Sequence, residues 1–465
     1  MSYFSIIDLF YGPLFLMGLI VYGRVTKYSR VEKMPEYEYF SWGLYCKILG
    51  GLSLCFIYAF YYGGGDTTNY FRDGSLVAKL LFSDPSGFLT VMLKGNTPET
   101  RYVFNAQTGF PLYRDSATFF VVRVAAPIIL LSGGSFVVTT LIFALFSFFG
   151  NWRLYKVFIT EFPDLKKEMA IAFLFIPSVF FWGSGLLKDT ITLSCIGFYT
   201  YSFYKIFIQR EKFVANIIII VIASYLILMI KPYIIFALLP GSIIWIINKM
   251  VIGMQNKVIK FLTGPFLVAV GVGGGYLLLD NMGDLLGLYS LDSVLDRAVI
   301  TNNDLKADYY KGNSVDIGDF EATIPSMLSK APAAINLALF RPYLWEANNL
   351  VMLLSGLECF VMLVFTLRVL IKTRFLAAFL IIYKNHLLSF AMIFSIFFAF
   401  SVGISTSNFG SMVRYRIPVL PFFIASIYLI QYIYSKGKFQ QVKNDVKFEE
   451  NETSASGAEH KSSLA

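Results

Sequence analysis

The sequence predicts an all-α fold, a polytopic bundle of about eleven transmembrane helices, and three observations support it. The 465 residues are 56% hydrophobic and 15% charged, whereas soluble domains are about 45–50% apolar and about 25% charged. The apolar residues form runs long enough to cross roughly 30 Å of hydrocarbon as helices. Lys and Arg concentrate in alternate connecting segments. We therefore interpret 1–434 as one integral-membrane domain with large outer loops at 63–118 and 280–348, followed by a disordered cytoplasmic tail at 435–465.

The apolar runs fix the expected helix positions, because a backbone in lipid must satisfy its own hydrogen bonds. The run at 119–150 is longer than one span requires and contains Gly133 and Gly134. It therefore contains a kink, an interfacial lead-in or two short spans. The predicted spans are 5–23, 43–62, 119–150, 168–186, 189–208, 214–230, 233–248, 261–279, 349–371, 386–403 and 417–434.

The positions of Lys and Arg predict the orientation. The alternate connections that begin with 24–42 and end with the tail have about twice the Lys and Arg density of the opposite loops, provided that 119–150 crosses once. Because cationic residues favour the cytoplasmic side, we expect the N-terminus outside and the C-terminus in the cytoplasm. The two longest loops are then outer loops, so we expect the functional site on the outer face.

Several functional classes lack their sequence signatures. There is no Walker A loop, no Rossmann glycine pattern, no HExxH motif and no basic stripe for nucleic acid. The two histidines, His386 and His460, offer little material for histidine chemistry. All four cysteines lie in apolar runs, which predicts neither a disulfide framework nor a metal site.

The first outer loop opens with YYGGGDTTNYFRDG at 61–74. Three glycines allow a sharp turn, and Asp66 follows them where membrane meets water, a position suited to a carboxylate base. Tyr70 would share its helix face, and Arg72 could hold the carboxylate ionised. Alternatively, Asp66 only caps the next helix. The apolar stretches at 74–96, interrupted by Ser-Asp-Pro-Ser-Gly, predict two helices lying in the interface.

Cationic residues also lie at the edges of other outer loops. Arg414 and Arg416 precede the last span in a Gly/Ser/Asn-rich stretch, on the side where the positive-inside rule disfavours them. Their planar guanidinium groups fit phosphate oxygens, which favours a phosphate or pyrophosphate ligand. Alternatively, they extend toward lipid headgroups.

Two further clusters and one buried acid complete the candidates. Lys188 and Asp189 lie in a tight outer hairpin, where they line a site or merely form a capped turn. Arg341 and Glu346 precede a span beside a tryptophan that could serve as an interfacial anchor. Glu358 falls near the middle of a span, where an unpaired carboxylate is costly, so we expect it to be protonated or paired.

The order and spacing of Asp66, Tyr70 and the 74–96 helices, followed by NFG…RYRIPVLPF with Arg414 and Arg416, resemble the GT-C superfamily of integral-membrane glycosyltransferases. The resemblance implies an outer-face enzyme of a bacterial-type cytoplasmic membrane. It would transfer sugar from a polyprenyl-phosphate donor to a glycan, lipid or protein acceptor, with Asp66 as catalytic base. Many members have two adjacent acids where this chain has Asp66 and Thr67, so the resemblance leaves a divalent metal cofactor open.

Three alternative functions remain at this point. A lipid-linked glycan polymerase or ligase would rely on Arg341, Arg414 and Arg416 to hold pyrophosphate. A transporter or flippase for an anionic or lipid-linked substrate would place Lys47, Arg123 and Glu358 along one path through the bundle. A purely structural membrane protein would need none of these groups to meet. Convergence of Asp66, Lys188 and the two late arginines on one outer cavity would favour transfer chemistry.

Overall fold

The computed structural model describes residues 4–101, 103, 115–252, 294–304 and 314–437. Within these ranges the regular structure is helical, apart from one antiparallel bridge between Ser314 and Asn408. Eight of the described helices are long and apolar enough to cross a membrane, as expected of a multi-pass membrane protein. The predicted disordered tail is helical as far as Gly437, and 438–465 lie outside the described residues.

The helices follow one another through short connections, several of which are single turns of 3₁₀ or π helix. In chain order the described helices are α1 (Ile6–Arg30), α2 (Phe40–Phe56), α3 (Asp66–Ser83), α4 (Pro85–Lys94), α5 (Pro98–Arg101), α6 (Ser116–Leu131), α7 (Phe136–Glu161), α8 (Lys166–Leu174), α9 (Pro177–Trp182), α10 (Lys188–Phe203), α11 (Phe213–Ile230), α12 (Tyr233–Ile252), α13 (Val294–Asp304), α14 (Ile324–Ser329), α15 (Ala331–Phe340), α16 (Leu350–Thr373), α17 (Phe375–Lys384), α18 (His386–Ser405), α19 (Phe409–Tyr415) and α20 (Val419–Gly437).

The expected count of eleven spans is not confirmed, because eight described helices meet the required length and hydropathy. The predicted span at 168–186 is divided between α8 and α9, since the chain leaves the helix before Pro177. The predicted span at 189–208 becomes α10, which begins with two charged residues and continues into a π-helical turn. The predicted span at 261–279 lies outside the described residues.

The long run at 119–150 contains two helices, α6 and α7, separated by a turn. Gly133 and Gly134 have φ angles of 65° and 77°, a conformation that residues with a Cβ rarely adopt. Ser135 then caps α7 by accepting a hydrogen bond from the Val138 amide at 3.0 Å. Only α7 is long enough to be a candidate span, whereas α6 is a shorter apolar helix.

Contacts at the start of α1 show at which end of the bundle α6 finishes. We call the end of the bundle at which α2 finishes and α3 begins the upper end. The Phe4 ring, just before α1, stacks on Phe60 with the centroids 5.4 Å apart, so α1 begins at the upper end. Ser135 donates a hydrogen bond to Asp8 in α1 at 2.6 Å. The turn that follows α6 therefore also lies at the upper end.

The start of α6 lies at the same end. Its N-cap residue Asp115 accepts a hydrogen bond from Lys188, the first residue of α10, at 3.0 Å. Helix α10 begins at the upper end, because Asp189 and Asp66 contact the same arginine, as described below. Both ends of α6 are thus at the upper end, so α6 does not cross the bundle. Within the run at 119–150, α7 is therefore the one candidate span, and a single crossing is the condition on which the predicted orientation depends.

Helix α2 supports the irregular backbone around α9. A Cβ on Gly50 would lie 2.0 Å from the Phe180 carbonyl oxygen, so only glycine permits this approach. The buried Lys47 ammonium donates hydrogen bonds to the carbonyls of Val179 and Gly183 at 3.1 and 2.9 Å, and to Ser147 at 3.0 Å. Lipid offers no hydrogen-bond donors to carbonyls that a break in a helix leaves unpaired. Lys47 donates these hydrogen bonds from inside the protein.

Both helices predicted at 74–96 in the first outer loop are present. The pair expected at 74–96 is α3 and α4, although α3 begins earlier, at Asp66. Asp84 ends α3 and caps α4 by accepting a hydrogen bond from the Gly87 amide at 3.0 Å. In the outer loop predicted at 280–348, the stretch IPSMLSKAPAAINLALF forms α14 and α15.

Candidate functional site

The candidate site begins where α2 ends, at the three glycines of the first outer loop. Gly63, Gly64 and Gly65 have φ angles of 68°, 138° and 145°, so the predicted sharp turn is confirmed. A Cβ on Gly65 would lie 2.6 Å from the ring of Tyr58. This turn presses the chain against Tyr58 and brings Asp66 to the mouth of a cavity.

Asp66 is the first residue of α3 and does not cap it. Gly65 occupies the N-cap position, and the Thr68 hydroxyl accepts a hydrogen bond from the Gly65 amide at 2.9 Å. The alternative interpretation of Asp66 as the N-cap is therefore wrong. The Asp66 carboxylate instead forms an ion pair with Arg414, with Asp66 Oδ2 2.8 Å from Arg414 Nη1.

Arg414 links the first outer loop to the hairpin before α10. Its Nη2 donates a hydrogen bond to Asp189 Oδ2 at 3.2 Å, and its guanidinium carbon lies 5.6 Å from the centroid of the Trp182 ring. Asp189 also pairs with Lys231, whose ammonium lies 4.4 Å from the Tyr415 ring centroid. Two carboxylates and two cations thus form one network, which we call the acid–base network: Asp66, Asp189, Lys231 and Arg414.

Local sequence explains why these four charges are tolerated at helix ends. Asp66 and Asp189 lie in the first turns of α3 and α10, where unpaired backbone amides favour negative charge. Lys231 immediately follows α11, and Arg414 lies in the last turn of α19, where carbonyls favour positive charge.

The members of the acid–base network differ in their exposure to the cavity. The Asp66 side chain is 48% exposed, whereas that of Asp189 is 2% exposed. Burial disfavours the charged form of Arg414, but Asp189, together with Tyr58 and Asp66, outweighs it and holds the guanidinium pKa above its usual value. Arg414 therefore remains cationic, and Asp66 is its solvent-facing partner.

A cavity of about 450 Å³ opens beside Asp66 and Arg414, within the range of small-ligand sites. Its wall combines aromatic rings, one amide, aliphatic side chains and glycine backbone. The residues that line it are Tyr58, Tyr62, Gly64, Gly65, Asp66, Trp182, Asn349, Val351, Met352, Gly410, Val413 and Arg414.

Two predicted residues of the first loop, Tyr70 and Arg72, are not among the residues that line this cavity. Tyr70 is buried one turn after Asp66, and burial, reinforced by the Asp66 charge, raises the pKa of its phenol, which therefore stays neutral. Arg72 pairs with its neighbour Asp73 at 2.7 Å and does not hold Asp66. The cation that pairs with Asp66 is Arg414 and not Arg72.

The structure separates the two residues of the predicted hairpin pair. Asp189 joins the acid–base network, whereas Lys188 turns away and pairs with Asp115 at 3.0 Å. Adjacent residues at a helix start point about 100° apart, which explains the separation.

The remaining predicted arginines are not brought to the cavity. Arg341 forms an ion pair with Glu346 on its own loop. The Arg416 side chain is 0% exposed and donates hydrogen bonds to the Arg341 carbonyl at 2.6 Å and to Ser355 at 2.9 Å. The polymerase or ligase alternative relied on Arg341 and Arg416 together with Arg414, but neither Arg341 nor Arg416 joins Arg414 at the cavity wall. Glu346 does not line the cavity either.

Glu358 is paired, as the cost of burying a carboxylate required. Its oxygens accept hydrogen bonds from the Ser178 amide at 2.9 Å and hydroxyl at 2.6 Å, and Arg416 lies 3.9 Å away. Arg123 donates to the Met92 carbonyl at 3.0 Å. Neither residue, nor Lys47, lines the cavity, so these three residues are not part of the candidate site.

Sequence reasoning missed Lys231 and the aromatic wall. Lys231 occupies a two-residue hairpin between two apolar runs, on the predicted outer side. The positive-inside argument that singled out Arg414 applies to it equally and would have found it. The wall residues Tyr58, Tyr62 and Trp182 had no distinguishing signal in a chain with 17% aromatic residues.

Metal binding finds little support in this network. No group of three or more His, Cys, Asp and Glu side chains gathers in the part of the chain that the structure describes. Asp66 and Asp189 each already contact a cationic side chain, which a metal ion would have to oppose or displace.

Comparisons with protein-family models, with curated proteins and with solved structures give no match to this chain.

Proposed function

We propose that this protein is a membrane glycosyltransferase that moves a sugar from a polyprenyl-phosphate donor to a glycan, lipid or protein acceptor at the outer face. One observation carries the proposal. An exposed carboxylate, Asp66, and a partly buried guanidinium, Arg414, meet at 2.8 Å on the wall of one cavity. A base and a phosphate-binding cation are the two groups that the transfer reaction requires.

The reaction assigns a role to each charge. Asp66 accepts the proton of an acceptor hydroxyl, and the oxygen attacks the anomeric carbon of the sugar. The bond from that carbon to the phosphate oxygen breaks, and its electron pair leaves with the polyprenyl phosphate. Arg414 stabilises the negative charge that grows on the leaving phosphate, while Asp189 and Lys231 hold the guanidinium in place.

The cavity wall suits a sugar. The rings of Tyr58, Tyr62 and Trp182 line the cavity and can pack against the apolar C–H groups of a pyranose ring. Asn349 adds an amide to the lining, although its oxygen already caps α16 through the Met352 amide at 2.9 Å. Its NH₂ group remains a donor for a sugar hydroxyl.

The surroundings also suit a lipid donor. The cavity lies at the upper end of an apolar bundle, directly before α3 and α4, which the sequence predicts to lie in the membrane interface. A polyprenyl chain could then stay in lipid while its phosphate reaches Arg414. This placement favours a lipid-linked donor over a soluble nucleotide sugar.

The proposal is tested with Asp66→Asn in a deletion strain and with purified protein. We expect transfer to fall about 100- to 10,000-fold, since the amide cannot act as a base. Lipid-linked sugar intermediates should accumulate, and the envelope glycans should lack one sugar. Glu99→Gln, which removes an exposed carboxylate from the same loop, is the matched control and should transfer normally. Wild-type transfer by a folded Asp66→Asn protein would contradict the base assignment.

A further inference from the structure

We propose that Asp66 competes internally for Arg414, so that an anionic phosphate ester entering the cavity displaces this carboxylate and thereby releases the base. The inference rests on the proposed function and adds a binding order to it. The donor phosphate binds first, and only then is Asp66 free to take a proton from the acceptor.

The two acidic partners of Arg414 differ in how firmly they are held. Asp189 is almost fully buried and contacts two cations, Arg414 and Lys231. Asp66 is half exposed, and among the described residues Arg414 is the cation that it pairs with. Exposed ion pairs are weak, whereas removing one partner from a buried pair is costly. An incoming anion therefore displaces Asp66 and leaves Asp189 in place.

The position of Arg414 supports the same exchange. Arg414 lines the cavity, and its Nη1 is occupied by Asp66, so a ligand oxygen that binds Nη1 replaces this carboxylate. A phosphate offers two oxygens to the planar guanidinium fork, a match as good as that of the carboxylate that it replaces.

Charge balance explains why the exchange activates the base. The acid–base network is neutral by itself, with two carboxylates and two cations, and a bound phosphodiester adds one negative charge. Once the phosphate has replaced it on Arg414, the Asp66 carboxylate is no longer held by that cation and can face the acceptor hydroxyl. When Asp66 takes the acceptor proton, its negative charge disappears, and the departing phosphate gains one beside Arg414.

The inference predicts that a variant without transfer activity binds the anion more tightly. In Asp66→Asn, Arg414 has no competing carboxylate, and Asp189, Lys231 and Arg414 together carry one net positive charge, which attracts a phosphate anion. We expect the affinity for farnesyl phosphate, measured by calorimetry on detergent-purified full-length protein, to rise about five- to tenfold. Asp66→Ala removes the same charge and should behave alike if the amide variant is unstable.

The control is Asp115→Asn, which removes a carboxylate at the same end of the bundle that pairs with Lys188 and not with Arg414. Its farnesyl phosphate affinity should stay within about twofold of wild type. Inorganic phosphate, titrated in parallel, shows whether the gain belongs to the phosphate group or needs the lipid chain.

The outcomes separate the two proposals. Equal or weaker binding by both Asp66 variants would overturn the competition. An equal gain in Asp115→Asn would also overturn it, because the effect would then be general charge removal. Tighter binding in the Asp66 variants alone, combined with a wild-type protein that transfers no sugar, would retain the competition and reject the glycosyltransferase.

Discussion

Arg414 and Arg416 are two residues apart, yet they lie in opposite surroundings. Arg414 faces a cavity and pairs with two carboxylates that come from distant parts of the chain. Arg416 is enclosed and gives its hydrogen bonds to a backbone carbonyl, a hydroxyl and the Cys359 sulfur. The first arrangement can exchange one partner for a ligand, whereas the second cannot do so without opening the interior.

Helix geometry explains the difference. Arg414 lies in the last turn of α19, and Arg416 is the residue that ends this helix. Residues two positions apart on a helix point in directions that differ by about 200°, so the side chains of Arg414 and Arg416 leave on nearly opposite sides. Both arginines depart from the positive-inside pattern, but for different reasons. A cation on the predicted outer side therefore indicates either a ligand site or a structural contact.

Arg416→Met should have the largest effect on folding. It removes the donor to Arg341 and Ser355 and leaves Glu358 without its nearby cation. Removing one partner of a buried pair costs about 3–5 kcal/mol. We expect a lower thermal midpoint in detergent and a smaller folded yield, while the folded fraction binds farnesyl phosphate normally. An unchanged midpoint together with lost binding would place Arg416 in the site and erase the contrast with Arg414.

Arg414→Lys should show the opposite pattern. Lysine retains the positive charge but has no planar fork with which to hold Asp189 and, at the same time, either Asp66 or the phosphate that replaces it. We expect transfer to fall about 100-fold, as when one charge-stabilising donor is removed, with the thermal midpoint close to wild type. Measuring turnover and midpoint on the same preparation sharpens the comparison. Wild-type turnover would show that the fork is dispensable.

The sequence predicted most long helices well, because hydrocarbon thickness imposes their length. The span expected at 386–403 is α18, His386–Ser405, and the span expected at 214–230 is α11, Phe213–Ile230. The run at 119–150 was harder, since hydropathy averages across the turn at Gly133. The break before α9 depends on Lys47, whose contacts with carbonyls more than a hundred residues away no local pattern contains.

The site was predictable in part. Asp66, Asp189 and Arg414 were singled out because each is a charge at the end of a span on the predicted outer side. Their pairing was not predictable, since Asp189 and Arg414 are separated by 225 positions and meet only through packing. The same limit applies to Arg416, whose direction depends on where α19 ends.

Lys188→Ala should have the smallest effect. It tests whether a cation next to the acid–base network contributes to transfer without belonging to the network. Lys188 pairs with Asp115 across a partly open surface, with side chains 22% and 61% exposed. Such pairs contribute about 0–1 kcal/mol, so we expect the thermal midpoint and transfer rate to change little.

The pH dependence of this pair has a definite sign. Burial alone would raise the pKa of Asp115, but Lys188 and Thr118 hold it below its usual 3.8. The contribution of the pair is therefore complete above pH 3.8 and is lost only as the pH falls through the lowered pKa. The difference in thermal midpoint between wild type and Lys188→Ala should therefore be the same at pH 5 as at pH 7. A tenfold loss of transfer in Lys188→Ala would extend the functional site beyond the acid–base network, because Lys188 would then act on the ligand despite its pairing with Asp115.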